Sequence, residues 1–352
     1  RPMKEAVKFN STPEDEVTLP LPGNRELKGL GLKEGITLIV GGGYHGKSTL
    51  LKALERGVYD HIPGDGREYV ITQESAMKLR SEDGRSIKQL DISAFIRDLP
   101  NGRDTIRFST EDASGSTSQA ANTVEAIMAG SSALLIDEDT SATNFMVRDA
   151  LMHKVINRGE EPIIPFIGRM RQLYEEMGIS VVLVAGSSGA FFSVSDTILQ
   201  MKEYNPINVT RVAKEAASEY PDAPVETDKM ELNKDTRIPC PNKEVTESRK
   251  VKVRGSGTDS VSLNHESVEL RFVEQVIDNE QTNLLGGLLR TLEEEYFNGK
   301  RTLEDGVNAL YDRLKTEGFA ASCRGQIPGN YAMVRRQELW AMVNRYRGLV
   351  LK

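Results

Sequence analysis

Short, wholly apolar runs alternate with stretches of helical spacing through the first part of the chain. Ile36–Val40 (ITLIV) is apolar apart from one Thr and runs into a glycine cluster. Ala133–Ile136 (ALLI) ends in acids, and Val181–Ala185 (VVLVA) is a third such run. Runs of this length, bounded by turn residues, predict strands buried on both faces. Between them, Ser48–Arg56, Ser118–Met128, Phe145–Asn157 and Pro165–Met177 space their apolar residues as helices do. Buried strands alternating with helices predict an α/β fold, a mostly parallel sheet with helices on both faces.

The pattern changes further along. A Pro-rich polar stretch at 216–243 reads as a linker or surface excursion. Arg249–Arg254 (RKVKVR) alternates cations with Val and predicts a half-exposed strand, while Ser260–Phe272 fits strand or helix. Gln281–Phe297, Leu303–Glu317 and Arg335–Tyr346 carry helical spacing. This predicts a smaller α+β C-terminal module at 226–352 behind an α/β domain at 1–225. A length of 352 residues suits two domains.

Composition narrows the class. Apolar residues make up 38% and charged residues 28%, which is globular rather than disordered. No run approaches the ~18 apolar residues of a membrane span, so a membrane partner is not expected. Two cysteines, Cys240 and Cys323, exclude a disulfide framework and an all-cysteine zinc site, and read as reduced thiols of an intracellular protein. The four histidines show no metal-ligand spacing. Charge is uneven: residues 231–352 hold 19 basic and 18 acidic residues, against 26 and 34 in residues 1–230. The chain begins at Arg1, which reads as a fragment, a processed form or a numbering of ordered residues, so the absence of a targeting peptide or an N-terminal domain here excludes neither.

The glycine cluster carries the chemistry. Gly41-Gly42-Gly43-Tyr44-His45-Gly46-Lys47-Ser48 fits G-x-x-x-x-G-K-[ST] between a predicted strand and a predicted helix. Glycines let backbone N–H groups turn inward around phosphates, and the helix N-terminus adds partial positive charge. Lys47 is expected to reach the β- and γ-phosphates, and the Ser48 hydroxyl, followed by Thr49, to ligate Mg²⁺. Tyr44 and His45 count with the glycines as nucleotide-binding positions; His45 fits either a phosphate contact or filling of the loop's variable positions, and filling is expected. At the end of ALLI, Asp137 suits Mg²⁺ held through water, and Glu138 suits polarising an attacking water.

The run after the strand discriminates among nucleotide-binding classes. Asp137-Glu138-Asp139-Thr140-Ser141-Ala142 resembles the ABC-class pattern D-E-P-T-S-A, and Ala113-Ser114-Gly115-Ser116-Thr117-Ser118-Gln119 upstream resembles the signature L-S-G-G-Q in order and distance. GGGYHGKSTLLKALERGVYDHIPGDGRE, ASGSTSQAAN, LLIDEDTSATNFMVRDALM and EPIIPFIGRMRQLY together resemble a predicted ABC-class ATPase family of bacteria and kinetoplastids, from about Leu19 to the end. That resemblance implies a P-loop ABC-type ATPase that binds ATP and Mg²⁺ in a head-to-tail homodimer. Each ATP would lie between Gly41–Thr49 of one copy and Ser114, Gly115 and Ser116 of the other. The eukaryotic member that the chain resembles is a kinetoplastid mitochondrial RNA-editing accessory factor, which implies RNA, editing-complex proteins and a mitochondrial location. Family members also carry a domain before the phosphate loop.

The chain departs from the ABC pattern in three places. Ala185–Gly189 holds no switch histidine, only Ser187 and Ser188, so slow hydrolysis is expected, or Glu138 acting with backbone help. Leu19–Asn24 holds no aromatic to stack on a base, and Phe9 is distant in sequence. Gln73, Gln89 and Asp91 all compete for the role of a Mg²⁺-contacting glutamine.

Two basic clusters are candidates for nucleic acid: Arg249, Lys250, Lys252 and Arg254, and Arg335, Arg336, Arg345 and Arg347 interleaved with Tyr331, Trp340 and Tyr346. A solvated strand and a core Trp are the competing readings. Arg148 and Arg169–Arg171 fit a dimer interface or a helix surface, and the surface is expected. The functions left open are an ATP-gated RNA-binding factor, an ATP-driven protein-assembly switch and, least supported by DEDTSA, a P-loop kinase.

Overall fold

The computed structural model describes residues 3–148, 161–219, 228–323 and 325–352. They fall into two compact units that interleave along the chain: Arg1–Leu79 with Ser132–Met230, and Arg80–Ser131 with Glu231–Lys352. The interleaving arises because the chain leaves the central sheet after Leu79 and re-enters it at Ala133.

The first unit is built on a six-stranded sheet in the order Asn205–Asn208, Thr197–Lys202, Ile36–Val40, Ser180–Val184, Ala133–Asp137, Met77–Leu79. Five strands run parallel, and Asn205–Asn208 closes one edge antiparallel. The three apolar runs read from the sequence are the three central strands, and Leu38, Leu134, Leu183 and Ile198 are fully buried. Helices Lys47–Arg56 and Ile167–Met177 pack on this sheet. Ile39, Leu51, Leu135, Val184 and Met201 form one core cluster, which anchors the first helix beneath the glycine loop. A hairpin, Glu16–Leu21 with Arg25–Leu30, precedes the sheet. Asp15 ties its base to the edge strand by accepting from Asn208 at 2.8 Å. Of the predicted helix Phe145–Asn157, only Thr143–Met146 forms a described turn, and residues 149–160 lie outside the described residues. The same holds for 220–227 of the predicted linker.

The second unit is α+β. Val253–Ser256, Ser260–Leu263 and Glu266–Glu269 form an antiparallel meander. Ser260–Phe272 is thus strand, and its turn is set by Asn264, whose φ of 55° suits Asn in a tight reversal. Asn279–Thr291 starts with a capping box between Asp278 and Gln281, and Leu303–Glu317, Gly115–Met128 and Arg336–Arg345 complete the helical layer. Its interior carries charge. Arg85 donates to both Glu125 oxygens at 2.7 and 2.9 Å, Arg345 pairs with Glu82, and Asn122 bridges them. Burial pushes the Glu82 carboxyl up, yet Arg345 and Arg85 outweigh it and hold it below the usual carboxylate range. Removing one partner of such a buried pair typically costs about 3–5 kcal/mol, because the other charge is stranded.

Glu293 differs, a buried acid that no cation pairs with among the described residues. Burial raises its carboxyl from 4.5 to about 7, against the opposing pull of the Asn242 N–H, 2.8 Å away, and the Tyr346 hydroxyl. A folded-state value above the unfolded one means the folded chain binds more protons between pH 4.5 and 7. The contribution is therefore full below pH 4.5 and lost as pH rises through 7, on the order of 3 kcal/mol. Glu293→Gln should be more stable than the parent at pH 8 and close to it at pH 5. Urea unfolding at the two pH values checks this, and equal differences at both would refute it.

Candidate nucleotide-binding site

The glycine loop leaves the sheet at Val40 and enters the helix at Lys47. Two of its glycines are required by geometry. Gly41 has φ 140°, and a Cβ there would lie 2.6 Å from the Met201 carbonyl oxygen. Gly46 caps the helix at φ 96°, in the left-handed region that favours glycine. The first backbone bond of the helix is Leu50 N–H to Gly46 C=O at 2.9 Å, so the N–H groups before it have no intrahelical acceptor. Tyr44 stands almost fully exposed at φ 63°. Lys47 Nζ folds back over the loop, donating to Gly41 O at 2.6 Å and Gly42 O at 2.8 Å. Ser48 and Thr49 are exposed in the first turn.

His45 takes the loop-filling position. Its Nδ1 accepts from the Glu203 N–H at 3.0 Å and pins the loop to the Glu203–Tyr204 turn. Both turn residues have positive φ, the requirement of the two-residue hairpin joining the last two sheet strands. That turn brings the Tyr204 ring beside Gly46 and leaves it half-exposed. An aromatic thus reaches the loop from downstream, although the upstream segment Leu19–Asn24 holds none. The turn residues Glu203 and Tyr204 are not turn formers, and only the following Asn205-Pro206 marks the reversal in the sequence.

The acids sit on the same edge of the sheet. Asp137 is level with Val184, and Val184 with Ile39, so two strand spacings, about 10 Å, separate the acidic strand from the glycine-loop strand. In parallel sheets this carboxyl-end crevice is where ligands bind. Asp137 is buried, and one carboxylate oxygen accepts from the Asp139 N–H at 3.2 Å. Its backbone carbonyl accepts from Ser141 Oγ at 2.8 Å, which shapes the following turn. A hydroxyl at Ser48 and a carboxylate at Asp137 are hard oxygen donors, a set that fits Mg²⁺.

Glu138 is held by the loop that lacks the histidine. Its Oε2 accepts from the N–H groups of Gly186 at 2.8 Å and Ser187 at 3.2 Å, and its Oε1 from Ser187 Oγ at 2.7 Å. The same loop passes Lys47, whose Nζ lies 3.9 Å from where a Cβ on Gly186 would sit.

In the second unit, Ser114 caps Gly115–Met128: its Oγ accepts from Thr117 N–H at 3.4 Å, and Gly115 and Ser116 open the helix, half-buried.

Three expectations need correction. First, Gln73 precedes Met77–Leu79, and Ser75 at that end bonds Ser132 at the start of the acidic strand. It therefore lies at the amino end of the sheet, opposite the glycine loop. Gln89 accepts from Arg107, and Asp91 accepts from Ser93 and Asn233, all within the second unit. Second, the nucleic-acid reading of the C-terminal arginine and aromatic cluster gives way to the competing core reading. Trp340 and Tyr346 are buried, Arg335 pairs with Glu338 and Arg345 with Glu82, and of the four arginines only Arg347 is exposed, beside Glu111. Third, Arg169 is fully buried and paired with Asp228, while Arg171 is at the surface between Glu175 and Asp196.

The other basic segment keeps its exposure. Lys250, Lys252 and Arg254 are exposed while Val251 and Val253 are half-buried. Arg249 is exposed as well, and the regular strand begins only at Val253. Among the described residues no helix is long and apolar enough to cross a membrane.

Residues 252–352 match the MRB1590 C-terminal domain family. A protein of Methanocaldococcus jannaschii, MJ1628, itself uncharacterized, is 37% identical over 139 residues, 39% of this chain and 31% of the relative. The chain thus matches about a third of the length of that relative. Similar solved structures include cbiO1 of Clostridium perfringens, part of an ABC transporter complex (15% identity, 58% of this chain, 90% of that chain, TM-score 0.38). The ATP-binding cassette MJ1267 of an ABC transporter is another (11%, 60%, 96%, TM-score 0.36). MJ0796, a dimeric cassette bound to ADP and phosphate, is a third (16%, 54%, 93%, TM-score 0.31). Residues 1–237, two thirds of the sequence, match the ABC ATPase P-loop domain model, and with the glycine loop and Asp137–Glu138 on one sheet edge, the chain belongs to the ABC ATPase P-loop family.

Proposed function

We propose that the chain is an ATPase that uses ATP binding at a head-to-tail homodimer interface to gate RNA binding, as an accessory factor in mitochondrial RNA editing. The observation that carries the ATPase part is the convergence of Lys47, Asp137 and Glu138 at the carboxyl end of one parallel sheet. Gly41–Thr49 would wrap the phosphates, with Lys47 on the β- and γ-phosphates. Ser48 and Asp137 would hold Mg²⁺, which offsets phosphate charge when bound. Glu138 would orient the attacking water. Ser114, Gly115 and Ser116 of a second copy would close over the nucleotide, so ATP shifts the population towards the dimer. By sequence the ATPase domain would span 1–225 and the α+β domain 226–352, with Arg80–Ser131 contributed by the first segment to the second compact unit.

The RNA part is supported by the match of 252–352 to the MRB1590 C-terminal domain, by the resemblance to an editing factor, and by the exposed cations Arg249, Lys250, Lys252 and Arg254. The test is fluorescence anisotropy of a short single-stranded RNA at low and high salt, with and without ATP. Affinity should fall with salt and change with ATP. Neutralising all four cations should flatten the salt slope by about 0.7 for each phosphate that they neutralise in the parent chain. Absence of binding at low salt would refute the RNA reading and favour an ATP-driven protein-assembly switch.

A further inference from the structure

Three hydrogen bonds converge on the Glu138 carboxylate, and all come from two adjacent residues. Gly186 and Ser187 aim both backbone N–H groups at Oε2, and the Ser187 hydroxyl completes the set at Oε1. Both oxygens are thereby fixed, although Gly186 and Ser187 are exposed and Glu138 only half-buried. A solvent-exposed Glu side chain left alone samples many rotamers, and ordering it costs entropy. Charge-assisted bonds of 2.7–2.8 Å are the strong kind and can offset that cost. The loop that provides them follows the strand Ser180–Val184, which lies between the glycine-loop strand and the acidic strand. It is therefore placed to reach both Lys47 and Glu138.

We propose that Ser187 is the positioning residue for Glu138, acting where a histidine would otherwise stand. It works through the carboxylate: the hydroxyl fixes the plane of Glu138, and the two amides fix its reach. A hydroxyl donates without carrying charge, so this clamp stays set across neutral pH, whereas an imidazole would change charge near pH 6.5. The inference rests on the reading of Glu138 as the water-orienting group.

The test is a kinetic cycle on the whole chain with Mg²⁺-ATP. Ser187→Ala should lower kcat roughly 10- to 100-fold, the range for a catalytic group allowed to drift by ~1 Å, with KM changed less than about twofold. Ser187→Thr, which keeps the hydroxyl, should recover most of the loss. In a Glu138→Gln background, Ser187→Ala should have little further effect, because the two act as one unit. An unchanged or raised kcat in Ser187→Ala, or a fully additive double variant, overturns the proposal. If Glu138→Gln itself hydrolyses at the parent rate, the reading of Glu138 fails instead. A readout free of turnover is amide hydrogen exchange at Gly186 and Ser187, which should quicken in Glu138→Ala, and unchanged exchange there would refute the clamp.

Discussion

Lys47→Ala should weaken ATP binding by roughly 30-fold or more while leaving the fold intact. The Lys47 ammonium lies over the loop, 2.6 and 2.8 Å from two carbonyl oxygens of the loop itself. The Gly42 carbonyl is exposed and the Gly41 carbonyl only partly buried, so water can replace the ammonium when the side chain is shortened and the loss to stability should be small. The loss to binding should be large, because the loop's sequence holds no second Lys or Arg and the β- and γ-phosphates carry the nucleotide's charge. Truncating one partner of a close charge pair costs about 2–5 kcal/mol, roughly 30-fold to several thousand-fold in Kd. Calorimetric titration with Mg²⁺-ATP reads the affinity, and circular dichroism with a thermal melt reads the fold. Unchanged affinity in a folded variant would remove the glycine loop from the nucleotide site.

The elements that locate this site are legible for a physical reason. Ile36–Val40, Ala133–Asp137 and Ser180–Val184 are buried on both faces, so their apolar runs are continuous and stand out from a polar background. The glycine loop is legible because its backbone geometry leaves little choice of residue at Gly41 and Gly46. What the sequence conceals is long-range pairing. Arg345 reads as a surface cation because its partner, Glu82, is 263 residues away. Only the fold reveals that the pair is buried. Gln73 reads as a candidate Mg²⁺ contact, yet a strand of a few residues puts it at the opposite end of the sheet. Tyr204 escapes a sequence reading because its turn uses Glu and Tyr at positive φ, where Asn and Gly are the usual signal. The basic stretch 249–254 alternates as a strand does, yet its first residues precede the paired segment, since a ladder needs a partner as well as a pattern.

Glu138→Gln should separate binding from hydrolysis. The amide is nearly isosteric with the carboxylate, so the loop at Gly186–Ser187 can still be engaged. Its oxygen can accept the two backbone N–H groups now directed at Oε2, and its NH₂ can donate to Ser187 Oγ, a hydroxyl that accepts as well as donates. What the substitution removes is the negative charge and the ability to take a proton from water. General-base assistance contributes typically 10²–10⁴-fold, so kcat should fall by about that factor with ATP affinity little changed. If ATP is an interface ligand between two copies, slowed hydrolysis should also let the closed form accumulate. Sedimentation velocity with Mg²⁺-ATP should then show a dimer in Glu138→Gln at concentrations where the parent chain cycles back to monomer. The two readouts fail independently. A parent-like rate would exclude Glu138 as the water-orienting residue whatever the assembly state. A slowed variant that stays monomeric with ATP bound would keep Glu138 in its role and exclude the head-to-tail dimer, and with it the placement of Ser114–Ser116 over the phosphates of a second copy.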